Sequence, residues 1–258
     1  ISLKADGQNI NWKNANSPVK VFLAYTPKDG EDYEKLVVLY IDKDGKATKV
    51  SNGKFEPEKG MVVFDTTHFS TYAVSYNDKI FSDLGTHPWA KHQIEVLASK
   101  GIINGTSKTT YSPGAMITRA DFLTLLVRTL ELTARVDSNF SDVKPSEYYY
   151  EAVGIAKKLG ITTGAGNNLF NPKESITRQD MMVLTERALR IKEMLTEDYD
   201  ISELDKFKDK EKIASYAQNS IAILVKEGLI KGSGDIITPQ GSTTRAEIAV
   251  LLYRIYNK

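Results

Sequence analysis

Apolar and polar residues alternate along the first part of the chain. Val19, Val21 and Leu23 are spaced two residues apart, a period that predicts a strand with one buried face. Further apolar runs occupy residues 36–41, 61–64 and 71–76, and a turn at 42–45 joins the first run to 46–50 as in a hairpin. We therefore predict a small all-β domain over residues 1–76, built as an antiparallel sandwich.

After residue 80 the composition shifts to helix formers and the sequence repeats three times. Each copy begins with Phe-x-Asp and reaches a Thr-Arg pair 36 residues after the Asp. A Gly-x-x-x-Gly segment and a Pro lie between these two motifs in every copy. The first Gly suits a left-handed helix end, and the second suits a tight loop. Each copy is therefore predicted to be helix, Gly-rich loop, Pro and second helix, and the three are expected to pack together.

The Thr-Arg pair marks the start of the second helix. In each copy an acid follows the Thr three residues later and precedes an apolar run, which is the capping-box pattern. The Arg is unexpected, because a cation in the first helical turn faces the positive end of the helix dipole. Its recurrence as Arg119, Arg178 and Arg245 therefore calls for a specific cause.

Composition narrows the range of functions. A net charge of +1 argues against nucleic acid and anionic membranes as partners, and no apolar run approaches the roughly 20 residues that span a bilayer. The chain has no cysteine, so disulfides and thiolate metal sites are excluded. Because it begins at Ile1 without an initiator Met or a signal-peptide pattern, we expect a mature or an excised fragment. The lack of cysteine suits an exported bacterial surface protein.

The repeated motifs together resemble the S-layer homology domain family in its tandem triplet. The Phe-x-Asp, aromatic, Gly-Ile-x-x-Gly, Pro and Ile-Thr-Arg-Ala-Asp motifs carry the likeness over roughly 81–256. Residues 66–74 resemble the closing strand of immunoglobulin-like domains in bacterial surface proteins. We therefore expect a β domain at 1–76, with an immunoglobulin-like sandwich fold, and repeats at 81–134, 140–192 and 207–258. The resemblance implies that the repeats form an all-α, pseudo-threefold three-repeat domain. The repeat pattern alone would equally permit an open solenoid.

The resemblance also implies a function. Such triplets bind secondary cell-wall polysaccharide, often through a terminal pyruvylated N-acetylmannosamine, in grooves between repeats on the outside of Gram-positive cells. The residues expected to bind are three arginines, three aspartates, three aromatics and three glycines: Arg119, Arg178, Arg245, Asp83, Asp142, Asp209, Trp89, Tyr148, Tyr216, Gly105, Gly164 and Gly232. An Arg at a helix N-terminus could join the backbone N–H groups in holding a ketal carboxylate.

Each of these residues has a simpler structural alternative. The aspartates could be caps or turn formers, the aromatics could be packing residues, and the arginines could form salt bridges between repeats. The interval of 36 residues suggests the repeat-start Asp as the Arg partner. Departures from the family pattern, including Gln179 for Ala and Thr243 for Ile, predict that two grooves bind rather than three.

No catalytic, metal or cofactor site is predicted. His68, His87 and His92 lack ligand spacing, and no acid pair stands out as glycosidase machinery. The leading hypothesis is a non-catalytic wall anchor. The alternatives are a self-assembling element of a surface lattice and a wall-active hydrolase. The β domain could be a spacer, a carbohydrate binder or a docking site for other surface proteins.

Overall fold

The computed structural model describes residues 3–5, 8–10, 12–14, 17–196 and 199–258. The strands are β1 (Leu3–Ala5), β2 (Gln8–Ile10), β3 (Val19–Ala24), β4 (Leu36–Ile41), β5 (Ala47–Val50), β6 (Lys54–Glu56), β7 (Met61–Thr66) and β8 (Thr71–Tyr76). The α-helices are α1 (Pro88–Lys100), α2 (Arg119–Thr129), α3 (Tyr150–Lys158), α4 (Arg178–Ile191), α5 (Gln218–Lys226) and α6 (Arg245–Tyr256). Short 3₁₀ turns cover Tyr33–Lys35, Leu84–Thr86, Ile201–Leu204, Lys210–Lys212 and Ser215–Ala217.

The chain divides into two compact units, residues 1–111 and 112–258. In the first unit, β3, β7 and β6 form one antiparallel sheet in that order, and β5, β4 and β8 form another. Residues on β3 alternate as predicted, since Val21 is buried whereas Phe22 is 47% exposed. One hydrophobic cluster takes side chains from both sheets: Val21, Leu36, Val38, Val62 and Phe64.

The helix α1 belongs to the same compact unit as the strands. Its last residue, Lys100, is only 1% exposed. The Lys100 ammonium group donates to the carbonyl oxygens of Leu36 and, at 2.7 Å, of Gly53. Lys35, in the 3₁₀ turn directly before β4, forms a buried ion pair with Glu95 of α1 at 3.0 Å. These contacts bind the first helix of the first repeat to the strands.

In the second unit, backbone hydrogen bonds join the three Thr-Arg segments in a closed cycle. The first N–H groups of α2, α4 and α6 each donate to a carbonyl oxygen of another copy, in the pairs Arg119 to Glu174, Arg178 to Gly241 and Arg245 to Ala115. The second N–H group donates to a proline carbonyl oxygen, in the pairs Ala120 to Pro172, Gln179 to Pro239 and Ala246 to Pro113. The copies are therefore closed on one another rather than stacked in a row.

The predicted fold class, an all-β immunoglobulin-like sandwich followed by an all-α pseudo-threefold domain, is wrong. The structure is mixed. The strand-rich unit contains α1 because that helix buries Lys100 and Glu95 against β4 and its neighbours. In the second unit, the residue before α2, α4 and α6 is extended, and isolated β-bridges join Thr118 to Ser175 and Thr177 to Ser242. Backbone pairing of the β type therefore occurs in both units, as sheets in the first and as isolated bridges in the second.

The individual elements agree better with the sequence pattern. The predicted strands at 19–25, 36–41, 46–50, 61–64 and 71–76 are confirmed as β3, β4, β5, β7 and β8. The pattern did not reveal β1, β2 or β6, because three residues are too few to show alternation. Gly101, Gly160 and Gly228 follow the first helices with positive φ, as expected. Among the described residues, no helix has the length and apolar character to cross a membrane.

Candidate functional site

The Thr of each motif caps a helix, as predicted. Its hydroxyl accepts from the N–H group three residues on, at 3.1 Å for Thr118, 3.2 Å for Thr177 and 3.3 Å for Thr244. The reciprocal half of the capping box is present in α6, where the Glu247 carboxylate accepts from Thr244 N at 2.9 Å. In α2 and α4 the acid is Asp, which is one methylene shorter, and the cap consists of the Thr hydroxyl alone.

The helix N-termini do not offer open N–H groups to an anion. The first two N–H groups of α2, α4 and α6 are bonded to carbonyl oxygens of another copy, and the third is bonded to the capping Thr. The expectation that Arg would share an anion with these groups is therefore wrong. Any recognition of an anion at this point has to come from side chains.

Arg119, the first residue of α2, makes contacts that explain why an Arg is present at this position. Its Nε donates to the carbonyl oxygen of Phe170 at 3.0 Å, and its guanidinium lies over the Phe170 ring, 5.1 Å from the centroid. Its Nη1 is 3.7 Å from Asp180 Oδ2, a separation too long for a hydrogen bond. Contacts with the second repeat thus offset the unfavourable helix dipole and leave the Nη groups without a close carboxylate.

Arg119 lines an open cleft of about 340 Å³. The second repeat contributes Gly164 from the loop after α3 and Asp180 from α4, and the third contributes Tyr216 from the turn before α5. The other lining residues are Thr162, Thr163, Val183, Leu184 and Arg187. The structure therefore brings together three predicted site residues, Arg119, Gly164 and Tyr216, each from a different repeat.

Asp180 links the two sides of this cleft. Its Oδ1 accepts from the Tyr216 hydroxyl at 2.7 Å, while Oδ2 faces Arg119. Burial raises the pKa of Tyr216 to about 12, and the bond to the Asp180 carboxylate acts in the same direction. Tyr216 nonetheless remains 56% exposed. Its phenol stays protonated and donating while the rest of the side chain faces solvent.

The second motif Arg is held more tightly. Arg178 Nε donates to the carbonyl oxygen of Ile237 at 2.9 Å, matching the Arg119 bond to Phe170. Its Nη1 makes a 2.6 Å ion pair with Glu247, where Arg119 makes only the 3.7 Å approach to Asp180. The salt bridge between repeats that the sequence left open is therefore present as a close pair at Arg178, and its partner is the motif acid of the next repeat. Arg245 takes part in the cycle through its backbone N–H.

The predicted aromatic residues lie at the surface. Trp89, Tyr148 and Tyr216 are 53%, 70% and 56% exposed, which argues against core packing. The Tyr148 hydroxyl donates to Asp121 Oδ1 of the first repeat, as Tyr216 does to Asp180. Burial and this carboxylate raise the pKa of Tyr148. Trp89 lies on α1 in the first compact unit, beside His87 with ring centroids 6.0 Å apart.

The aspartates that begin each repeat bond to loop backbone. Asp142 accepts from the N–H groups of Phe170 and Asn171 at 2.9 and 2.8 Å. Asp209 accepts in the same way from Ile237 and Thr238, and Asp83 accepts from Tyr111 N. These carboxylates hold the loop before the second helix. The partner that the interval of 36 residues suggested for Arg is therefore wrong.

The second glycines face inward onto the Phe of Phe-x-Asp. A Cβ at Gly164 would lie 2.4 Å from the Leu169 carbonyl oxygen and 2.6 Å from the Phe140 ring. Gly232 has a similar contact with Phe207, and Gly105 with Phe81. These glycines are thus required by the packing of the loop, and Gly164 also reaches the cleft.

Sequence reasoning missed a second recurring arginine. Arg187 lines the cleft and donates to the Ile161 carbonyl oxygen at 3.3 Å, and Arg254 donates to that of Leu229 at 2.8 Å. Each lies nine residues after a motif Arg, as Arg128 does in the first copy. That fixed interval was available in the sequence.

Among the described residues no group of His, Asp and Glu has the arrangement of a metal site.

Comparison with known proteins identifies the repeats. The S-layer homology domain family matches residues 80–123, 139–182 and 206–249, slightly more than half the chain. An amylopullulanase from Thermoanaerobacterium thermosulfurigenes is 36% identical over 245 residues, covering 93% of this chain and 13% of that protein. Exoglucanase XynX from Acetivibrio thermocellus is 37% identical over 182 residues, 69% of this chain and 16% of that protein.

A surface-layer 125 kDa protein from Lysinibacillus sphaericus is 31% identical over 170 residues, 64% of this chain and 14% of that protein. The chain thus spans between 13% and 16% of the length of these three relatives. Because the amylopullulanase alignment covers 93% of the chain, it includes most of the strand-rich N-terminal region. The chain belongs to the S-layer homology domain family, whose domains anchor extracellular surface proteins to the cell wall.

Proposed function

We propose that the chain anchors a surface protein by binding a carboxylate-bearing secondary cell-wall polysaccharide, in which pyruvylated N-acetylmannosamine supplies the carboxylate. The observation that carries this proposal is the cleft formed by Arg119, Gly164, Asp180, Arg187 and Tyr216. It combines two cations with one internal carboxylate and an exposed aromatic side chain. That composition suits a sugar carrying one negative charge.

Each side chain has a distinct task in this proposal. The Nη groups of Arg119 donate to the ketal carboxylate, since its Nε is already bonded to Phe170. Arg187 adds a second positive charge to the cleft. The exposed ring of Tyr216 packs against the C–H face of the sugar. Several such contacts, with avidity along a repeating polymer, would hold the protein on the wall.

The relatives favour attachment over lattice assembly. Both a surface-layer protein and two proteins named as polysaccharide-degrading enzymes share the repeat region. Lattice formation would serve the first kind alone, whereas attachment to the wall serves both. We therefore place catalysis, where a relative has it, outside the region that corresponds to this chain.

The roles of Trp89, Tyr148, Asp83, Asp142 and Asp209 in ligand binding remain part of the same proposal, secondary to the Arg119 cleft.

Separate alanine substitutions of the motif arginines test the assignment. Titration of purified wall polysaccharide into Arg119→Ala should show affinity reduced at least tenfold, the effect of losing roughly 1.4 kcal/mol or more. Arg178→Ala should reduce affinity less, because Glu247 already occupies that guanidinium. Arg135→Ala is the matched control, since its side chain is 91% exposed in the connection between repeats.

Thermal unfolding of the same variants separates binding from folding. A purely structural Arg119 would lower stability and leave the affinity of the folded chain unchanged. That result, or an equal loss of affinity in Arg135→Ala, would contradict the assignment.

A further inference from the structure

We infer that the acid three residues after the Thr of a Thr-Arg motif determines whether the arginine of the preceding repeat is available to an external carboxylate. This inference deepens the proposed function and rests on it. Asp180 and Glu247 occupy equivalent positions in α4 and α6. They face Arg119 and Arg178 respectively.

The two pairs differ although both arginines are anchored to the next repeat in the same way. Both arginines donate Nε to a carbonyl oxygen of the next repeat, at 3.0 Å for Arg119 and 2.9 Å for Arg178. Their side chains have similar exposure, 12% and 15%. The distance from Nη1 to the acid is nevertheless 3.7 Å for Asp180 and 2.6 Å for Glu247. The acid, the Tyr216 bond to Asp180 and the Phe170 ring beside Arg119, where the second site has Ile237, are the differences between the two sites.

Side-chain length explains this difference. Glu247 places Oε2 on the N-cap of its own helix and still reaches Arg178 with Oε1. Asp180 is one methylene shorter, and its Oδ1 is taken by the Tyr216 hydroxyl. The remaining oxygen therefore stays beyond hydrogen-bond distance of Arg119.

An internal carboxylate competes with a ligand carboxylate for the same donors. At Arg178 an incoming carboxylate has to displace a short charge-assisted bond, whereas at Arg119 it has none to displace. A glycan carboxylate is therefore expected to select the Arg119 cleft first. Exchanging the acids, Asp180→Glu and Glu247→Asp, should reverse this preference without removing any charge.

NMR of the arginine Nε–Hε signals in the ¹⁵N-labelled full chain tests the inference with acetate as the probe. At matched ionic strength, with sodium chloride as reference, acetate should shift the Arg119 signal more than the Arg178 signal. Glu247→Asp should raise the apparent acetate affinity at Arg178 about tenfold, the value of one charge-assisted bond, and Asp180→Glu should lower it at Arg119. Glu151→Asp, an exposed acid of α3, is the matched control.

Titration with purified wall polysaccharide forms the second arm and tests the proposed function separately. Equal acetate-induced shifts at Arg119 and Arg178 in the unsubstituted chain would overturn the inference. Acid exchanges that leave the acetate affinities of the two arginines unchanged would also overturn it. If acetate shows the predicted pattern but the polysaccharide does not bind, the role of the motif acid is supported and the proposed glycan is contradicted.

Discussion

At the residue scale, one short motif combines architecture with recognition. Thr118 and the N–H groups after it are fully engaged in closing the repeats, so Arg119 is the member of the motif with donors left for a ligand. The sequence predicted the cap and singled out the Arg. It could not identify the Arg partners, because Phe170 and Asp180 lie 51 and 61 positions away in another repeat, and local pattern carries no information about such pairings.

Gly164 offers a direct test of how the cleft loop is built. It has φ of +81°, and an added Cβ would lie 2.4 Å from the Leu169 carbonyl oxygen. Gly166, two residues on, has φ of +94° and nothing within 4 Å of such a Cβ. Gly166→Ala should therefore lower the free energy of unfolding only by the conformational strain, about 1–2 kcal/mol. Gly164→Ala should lower it by roughly twice that or more, with urea unfolding as the measurement for both variants. Equal costs would show that the carbonyl contact contributes nothing.

Glu227 ties two distant segments to the end of α5. Its carboxylate accepts from Thr196 N and Oγ1 at 3.0 and 2.7 Å and pairs with Lys258 at 2.5 Å. The Lys258 bond is the largest cause that lowers the pKa of Glu227, to about 2. The stability from a depressed carboxyl pKa is present above the unfolded value near 4.5 and is lost as the pH falls through 2.

Substitution Glu227→Gln should therefore lower the free energy of unfolding by roughly 2 kcal/mol at pH 7. The difference in the free energy of unfolding between the variant and the unsubstituted chain should shrink as the pH falls from 4.5 towards 2. Urea unfolding at each pH measures this difference. A difference that is independent of pH would contradict the ion-pair explanation.

At the element scale, the β region and α1 form one unit. Apolar spacing predicted the strands and the repeat pattern predicted α1, but neither showed that this helix packs on β4. The interaction depends on Lys100 and Lys35, polar residues that pattern rules assign to the surface. Lys100 also departs from the repeat, because Leu159 and Glu227 precede the equivalent glycines. That departure is a sequence signal for a partner that only the first repeat has.

Lys100 gives this contact a pH dependence. Burial lowers its pKa from 10.5 to about 8. Between these values the unfolded chain binds a proton that the folded chain does not, so stability rises with pH. The contribution is complete above about pH 10.5 and is lost as the pH falls through 8. The upper bound of this contribution to the free energy of unfolding is about 3 kcal/mol.

The comparison with Lys100→Met isolates this effect. Tryptophan fluorescence reports on the first unit, because both tryptophans, Trp12 and Trp89, lie within residues 1–111. Relative to Lys100→Met, the unsubstituted chain should gain stability from pH 8 to 10.5. The exposed Lys91 of the same helix provides the control, since Lys91→Met should show no such trend. A flat difference for Lys100→Met would mean that the amine is not desolvated.

At the scale of the whole chain, closure of the repeats creates the cleft. The Thr-Arg segments bond in a cycle, and Arg119, Gly164 and Tyr216 come from three different copies. The sequence established that three copies exist and which residues recur. It could not choose between stacking and closure, because both place each copy beside the next. The resemblance implied grooves between repeats, but which residue of each copy lines the cleft followed only from the structure.

The most direct test of wall anchoring through Arg119 compares two forms of one polymer. Purified wall polysaccharide, intact or chemically depyruvylated, is titrated into the full chain and into Arg119→Ala. We predict that depyruvylation weakens binding to the unsubstituted chain at least tenfold and that Arg119→Ala binds both polymers with the same low affinity. Equal binding of the intact and depyruvylated polymers by the unsubstituted chain would contradict the carboxylate mechanism.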